Sequence, residues 1–373
     1  MRILFTGGGT GGHIFPVIAV KRELESIYSS KEEYYYHPPE FEFAGGELKE
    51  KEALLKENIS IKRVAPAKWR RYFSLQNFLD IFRFPFSLFQ ALIYVWLFMP
   101  DIIFSKGGSG SLAIVFAAWL YRIPVVIHES DSIPSSTNQF SSPFSKIITI
   151  SFEETRPFFS IRKTILTGNP IRQKIVSGSK EKAKEAFNLT GNRKILLIIG
   201  GSQGAQEINS VFVDAVYKYI EKYEIIHVCG PKNFNDMDLL TKGILREFQR
   251  KFYHLYPYLD EEKLGDAYAV ADVIISRAGS GMIFEIAALK KPSLLIPLKL
   301  SAQNHQAKNA YYFSRKGCAT VVEESNVTPN FVFGRISQIV DNETISQEMQ
   351  KACEEFARPD AAKKIADILI KLA

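Results

Sequence analysis

The chain is predicted to fold as two like-built parallel α/β halves, and three observations lead there. The stretch from Ala271 to Asn309 reads as a buried strand (Asp272-Val-Ile-Ile), a turn Ser276-Arg-Ala-Gly-Ser-Gly281, a helix over Met282 to Leu289 and a second strand ending near Pro297. A short apolar run feeding a small-residue turn and an apolar helix is the strand–loop–helix unit of a parallel sheet. That unit has a twin. Asp101-Ile-Ile-Phe-Ser-Lys-Gly-Gly-Ser-Gly110 matches Asp272-Val-Ile-Ile-Ser-Arg-Ala-Gly-Ser-Gly281 in Asp, Ser, base, Gly, Ser and Gly, and both lead to a strand opening with proline, at Pro124 and Pro292. A second pair agrees: Arg2-Ile-Leu-Phe-Thr-Gly-Gly and Lys194-Ile-Leu-Leu-Ile-Ile-Gly-Gly each end in a glycine loop and a helix. Duplication of this kind means two domains rather than one large sheet, and 373 residues suffice for two full cores.

In chain order, the first loop is Thr6-Gly-Gly-Gly-Thr-Gly-Gly-His13, leading into a helix from about Pro16. Its glycines let a ligand approach the backbone. The loop contains a G-x-G-x-x-G spacing, which by itself is compatible with NAD, but no clean acidic end closes a second strand in the Tyr34–Ala44 region. His13 at the mouth of the loop is a candidate base near neutral pH; the bland reading is a histidine that only bonds the turn. From Pro66 to Met99, a basic cluster (Lys68, Arg70, Arg71) precedes a very aromatic stretch interrupted by Asp80, Arg83 and Pro85. The uncharged run is shorter than the ~20 residues a spanning helix needs. Helices on the sheet with one face at an anionic membrane surface fit it better. His128-Glu-Ser-Asp131 follows the strand Val125-Val-Ile, at the edge of a parallel sheet where ligands bind; Asp131 is a second candidate base or an orienter of the acceptor hydroxyl. Thr167-Gly-Asn-Pro-Ile-Arg172 reads as the linker to the second half.

The second half opens on Gly200-Gly-Ser-Gln-Gly-Ala205, whose amides and Ser202 hydroxyl at a helix start would hold a diphosphate without metal. Asp236-Met-Asp238 has the spacing of a metal-binding carboxylate pair, but no apolar strand precedes it, so a solvated turn is expected. Tyr258, in Tyr256-Pro-Tyr-Leu-Asp260, offers a ring to stack on a base, or merely to pack. Glu285 is an acid in the apolar run Met282-Ile-Phe-Glu-Ile-Ala-Ala-Leu289, costly unless a partner uses it, and ribose hydroxyls suit it. The first half has Ile114 in that position, so the halves are expected to bind different things. Gln303-Asn-His-Gln-Ala-Lys-Asn309 supplies neutral donors and acceptors suited to a sugar. Phosphate, ribose and sugar recognition together suggest a nucleotide-sugar site.

Net charge is +7 with a pI near 9.0, which suits a phosphorylated substrate, an anionic bilayer or nucleic acid. With no zinc finger, basic helix or aromatic RNA-binding signature, no nucleic-acid partner is expected. Three scattered cysteines (Cys229, Cys318, Cys353) lack metal spacing and point to a reducing cytosol, and the amino terminus shows no secretory pattern.

Over essentially its whole length the chain resembles the MurG family of peptidoglycan synthesis. The matching motifs are Gly8-Gly-Thr-Gly-Gly-His-Ile-Phe-Pro16, Phe104-Ser-Lys-Gly-Gly108, His128-Glu-Ser-Asp131, Thr167-Gly-Asn-Pro170, Gly200-Gly-Ser-Gln-Gly-Ala205, Ala278-Gly279 with Glu285, and His305-Gln-Ala-Lys-Asn309. The resemblance implies a GT-B fold: two Rossmann-like domains with the site in a cleft. An acceptor and membrane-facing domain would span 1–166 and a UDP-sugar domain 167–354, with a last helix at about 355–373 crossing back. It implies an inverting, metal-independent transferase without cofactor, at the cytoplasmic face of the plasma membrane. N-acetylglucosamine would pass from UDP-N-acetylglucosamine to the muramoyl 4-hydroxyl of a polyprenyl-pyrophosphate-linked muramoyl peptide. By matching position Ser202 would touch the diphosphate, Glu285 the ribose, Tyr258 and Leu259 the uracil, and His305, Gln306 and Asn309 the sugar. Thr10, Gly11, Gly12, Arg172, Gln203, Gly204, Arg277, Gly279 and Ser280 would join the donor site. Gly107, Gly108, His128, Glu129 and Asn138 would serve the acceptor, with His13 and Asp131 catalytic. Departures from the family pattern fall at Ser109 and Gly110, at Ser135 and Ser136, and at Met282. The first two fall on the acceptor side and Met282 on the donor helix, which keeps two alternatives open: another lipid acceptor, or a membrane-docked partner protein with little turnover.

Overall fold

The computed structural model describes residues 1–29, 38–65, 75–108, 110–200, 206–299, 301 and 304–373, with the backbone alone over 75–83. The chain divides into two compact units, Met1–Ile171 with Arg358–Ala373, and Arg172–Ala357.

The first unit is a seven-stranded parallel sheet in the order β3-β2-β1-β4-β5-β6-β7. Its strands are β1 (Arg2–Gly7), β2 (Glu40–Gly45), β3 (Ser60–Arg63), β4 (Ile102–Ser105), β5 (Val125–Glu129), β6 (Ile147–Ile150) and β7 (Thr164–Leu166). Alternation along the strands divides two apolar layers. Ile3, Phe5, Phe43, Ile102, Phe104 and Val126 face the helices Gly11–Ser29 and Ala361–Leu372, which pack on each other. Leu4, Ala44, Ile103, Val125 and Ile127 face Leu75–Phe98 and Ser111–Leu120. Burial on both faces is why these strands read as continuous apolar runs.

The second unit repeats the plan in six parallel strands ordered β10-β9-β8-β11-β12-β13. These are β8 (Lys194–Ile199), β9 (Tyr223–Val228), β10 (Tyr253–Tyr256), β11 (Val273–Ser276), β12 (Ser293–Leu295) and β13 (Ala319–Val321). In both units the strand order reverses between two central neighbours, β1 with β4 and β8 with β11. Loops leaving such a switch point at the carboxyl edge are where α/β sheets bind ligands.

The duplication has a hydrogen-bonding cause. Asp101 Oδ2 accepts the N–H of Arg2 at 2.7 Å, and Asp272 Oδ2 accepts that of Ile195 at 2.8 Å. Each aspartate thus locks the start of one central strand onto its neighbour. The aspartate pair Asp236 and Asp238 lies in a helix, Phe234–Ile244, not in a turn. Met237 and Thr241 on one face are buried, and Asp238 pairs with Lys242 at 2.6 Å. Two aspartates two positions apart on a helix point to different sides.

Candidate active site

In the first unit the loop after β1 meets the loop after β4. Thr10 opens the helix Gly11–Ser29, its carbonyl accepting the N–H groups of His13 and Ile14 at 2.9 and 3.1 Å. Its hydroxyl lies 3.1 Å from His13 Nδ1. The imidazole also lies against Gly8: a Cβ there would come within 2.8 Å of Nδ1. Gly107 and Gly108 have φ of +76° and +100°, and a Cβ on Gly108 would sit 2.6 Å from Gly8 N. Two glycine loops can approach this closely only without side chains. Gly11 is buried at the helix start and Gly12 is exposed.

The β5 end is largely interior. His128 is 0% exposed, with Nδ1 2.9 Å from Thr149 Oγ1 and Nε2 3.2 Å from Ser151 Oγ. Thr149 gives its proton to Ile127 O, so Nδ1 carries the ring hydrogen and Nε2 accepts from Ser151. Half a turn of the Asn169 amide, 3.2 Å away, offers its otherwise unpaired Nδ2 to Nε2. Burial and the nearby Lys106 charge hold His128 well below the usual imidazole range, so the ring is neutral. Glu129 accepts the N–H groups of Asp131 and Ser135 at 3.1 and 2.9 Å and the amide of Asn138 at 2.8 Å. Burial, with Asp131 beside it, raises the Glu129 carboxyl above its usual range. His128, Glu129 and Asn138, expected to touch the acceptor, are thus buried inside the unit and bonded there; they shape the turn that carries Asp131. Asp131 itself is half-buried at the surface of that turn.

In the second unit Glu285 is 5% exposed, and its charge is answered from within the chain. Arg172 Nε and Nη2 donate to Glu285 Oε1 at 3.1 and 2.9 Å. Burial works to lower the Arg172 pKa, but Glu285 outweighs it, and the guanidinium is held charged above its ordinary value. The helix bearing Glu285 runs Ser280–Ala288 and begins at Gly279, where an added Cβ would meet nothing within 4 Å. Open space therefore fronts an amino-terminal helix end, favourable for an anion. Arg277 does not face such a space. It is 7% exposed and braced by Glu207 at 2.9 Å, Glu324 at 2.6 Å and the Ile296 carbonyl. A donor-binding role for Arg277 would require it to leave two carboxylates. Tyr258 is 63% exposed and Leu259 is buried, so the ring can stack while its neighbour anchors it.

The polar run before Asn309 passes into the helix His305–Arg315. Gln306 Oε1 accepts the N–H of Leu298 at 3.0 Å, and Asn309 is fully buried. His305 at the helix start is half-buried. Ser202, Gln203 and Gly204 lie outside the described residues, as do Lys68, Arg70 and Arg71. Sequence reasoning assigned no role to Lys106, buried beneath the Gly107–Gly108 turn. The available signal was the internal repeat, which matches it to Arg277. No group of three or more His, Cys, Asp or Glu fit to hold a metal occurs among the described residues.

Residues 3–150 match the model of the glycosyltransferase family 28 N-terminal domain, and 195–365 that of the family 28 C-terminal domain. A Bacillus thuringiensis (strain Al Hakam) protein named UDP-N-acetylglucosamine–N-acetylmuramyl-(pentapeptide) pyrophosphoryl-undecaprenol N-acetylglucosamine transferase 3 is 36% identical, covering 91% of this chain and 92% of its own. A Clostridium kluyveri transferase of the same name, without the numeral, is 34% identical over 99% of both. Among solved structures, Acinetobacter baumannii MurG superposes with TM-score 0.75 at 24% identity, over 99% of both chains. A UDP-GlcNAc 2-epimerase from Neisseria meningitidis, bound to UDP-GlcNAc, gives 0.64 at 17% over 100% of both, a likeness of fold. The chain is therefore a glycosyltransferase of GT-B fold, and it belongs to the MurG family within glycosyltransferase family 28.

Proposed function

We propose that the chain transfers N-acetylglucosamine from UDP-N-acetylglucosamine to the muramoyl 4-hydroxyl of a polyprenyl-pyrophosphate-linked muramoyl peptide, giving the lipid-linked disaccharide of peptidoglycan. The observation that carries this is similarity at 34% identity over 99% of both chains to an enzyme named for that transfer. The donor would sit on the second unit. Tyr258 would stack on uracil over Leu259, Glu285 would meet the ribose beside Arg172, and the diphosphate would lie at the Gly279–Ser280 helix end with the 200–205 loop. His305, Gln306 and Asn309 fit this reading as the wall behind the sugar, Gln306 and Asn309 through internal bonding and packing.

The chemistry is a single in-line displacement with inversion. The acceptor oxygen attacks C1 of the sugar, its proton passes to a protein base, and the C1–O bond to UDP breaks, the pair going to the leaving phosphate. His13 is the first candidate base. With Nδ1–H given to Thr10 Oγ1, Nε2 becomes the basic nitrogen. Its place in the first turn of a helix favours the neutral ring. Asp131 is the second candidate. Helix amides, instead of a metal, take up the developing phosphate charge. The lipid acceptor would be met at a membrane surface on the helix Leu75–Phe98. Phe86, Phe89, Ile93 and Trp96 are exposed at helical spacing, while Ala91 and Val95 are buried against the sheet. No helix among the described residues is long and apolar enough to cross a bilayer.

The test is UDP release with several nucleotide sugars, each with and without a polyprenyl-pyrophosphoryl-muramoyl acceptor, in excess chelator. Release that requires both UDP-N-acetylglucosamine and the acceptor is expected. Release equally fast with another sugar, or without the acceptor, overturns the reading.

A further inference from the structure

Lys106 follows β4 and is 2% exposed. Its ammonium donates to Ser130 Oγ. On the β5 side it faces the Glu129 and Asp131 carboxylates and the neutral His128 ring. On the β1 side it meets Thr6, whose carbonyl accepts the Lys106 N–H at 2.8 Å, and Gly7, neither of which titrates. Asn138, from the helix Ser136–Ser141, lies over the adjoining Gly107 and is likewise uncharged.

The second unit supplies an internal comparison. Arg277, matched to Lys106 by the duplication, is also buried and also met by two carboxylates, Glu207 and Glu324. In both units the base at this strand end is a buried charge anchor. In the first unit, however, the carboxylates it faces lie on the turn that presents a candidate catalytic base. Two carboxylates crowded on one turn repel each other, and a buried cation beside them offsets part of that repulsion.

We propose that Lys106 is a positioning residue for Asp131. Its ammonium, tied to Ser130 in the middle of the 129–131 turn, fixes that turn and so presents Asp131 to the acceptor hydroxyl. The inference rests on the acceptor-side reading above. It also has a pH signature. Burial lowers the Lys106 pKa to about 7, against the upward pull of Glu129 and Asp131, so the anchoring charge is lost well below the pH at which an ordinary lysine titrates.

The test uses the full chain as wild type, Lys106→Met, Lys106→Arg, Asp131→Asn and the double variant Lys106→Met/Asp131→Asn. Measured are kcat and KM for both substrates from about pH 6 to about pH 10, UDP affinity, and unfolding. Lys106→Met is expected to lower kcat about tenfold or more with UDP affinity unchanged, and to remove the alkaline limb of the kcat profile. Lys106→Arg, which stays charged, should move that limb upward. The double variant should be no slower than Asp131→Asn alone, because Lys106 acts through Asp131. Multiplicative losses in the double variant, or identical pH profiles with and without Lys106, overturn the proposal. Unfolding supplies a second decision: Asp131→Asn should recover part of the stability that Lys106→Met loses, and simple additivity there counts against the pair. A wild type that releases no UDP with a muramoyl acceptor would defeat the proposed function, while the unfolding cycle would still decide whether Lys106 and Asp131 are coupled.

Discussion

Glu285→Gln separates two jobs that one carboxylate holds in the second unit. The side chain keeps its shape and loses its charge, removing the carboxylate bonded to the Arg172 guanidinium at 2.9 and 3.1 Å. Both partners are buried, with side-chain exposures of 12% and 7%. Removing one member of such a pair costs about 3–5 kcal/mol, because the other charge stays desolvated. For a domain of about 150–250 residues each kcal/mol moves the melting temperature by about 2–4 °C, so a fall of about 6–20 °C is expected. Arg172→Met/Glu285→Gln removes both charges and should recover most of it. UDP titration on the same proteins reads the second job. If the carboxylate also holds ribose hydroxyls, Glu285→Gln weakens UDP binding by about 1–3 kcal/mol, and the double variant does not restore it. Melting of Glu285→Gln at the wild-type temperature refutes the buried pair. Unchanged UDP affinity in the folded variant refutes the ribose assignment.

Four other perturbations bear on the chemistry, the metal, the membrane and pH. His13→Ala should cut turnover by about 10²–10⁴-fold with UDP affinity near wild type; full turnover in a folded His13→Ala protein moves the base to Asp131. Activity should survive excess chelator, and loss rescued by magnesium or manganese would show that a metal is needed. Phe89→Ser/Trp96→Ser should weaken binding to anionic vesicles about tenfold or more, with salt weakening it further; equal binding by variant and wild type sinks the membrane face. His227 is fully buried and its pKa is lowered to about 3 by burial. The unfolded histidine takes a proton near 6.5 and the folded one not until about 3, so between those values the unfolded chain binds more protons and stability falls as pH drops. The slope reaches about 1.4 kcal/mol per pH unit, and His227→Gln should flatten it in urea titrations.

The two-unit plan was legible because it is written locally. Asp101 and Asp272 tie adjacent central strands through backbone N–H groups, and that job needs the same residue at the same place in both halves. Apolar runs and glycine turns carry the rest, since a strand covered on both faces has little room for other residues. The Phe234–Ile244 helix was missed for a similar reason: two aspartates drew attention while Met237 and Thr241, one turn apart, carried the period that sets the element.

What could not be read was which charges are already satisfied. Glu285 looked expensive in its apolar helix, and a ligand seemed required to explain it. Arg172, 113 positions away, removes that necessity without removing the possibility. Arg277 was expected in the donor site, yet Glu207 and Glu324 stand beside it, and Lys106 carried no assignment. A sequence marks the positions where charge is unusual, but partners arrive from distant elements, and a buried charge is tolerable only with its partner in place. Residues serving a ligand must therefore be sought first among polar groups that the fold leaves accessible. By that standard Asp131, on a turn whose neighbours Glu129 and His128 are consumed internally, is a better site candidate than either of them, and exposed Tyr258 a better one than buried Asn309.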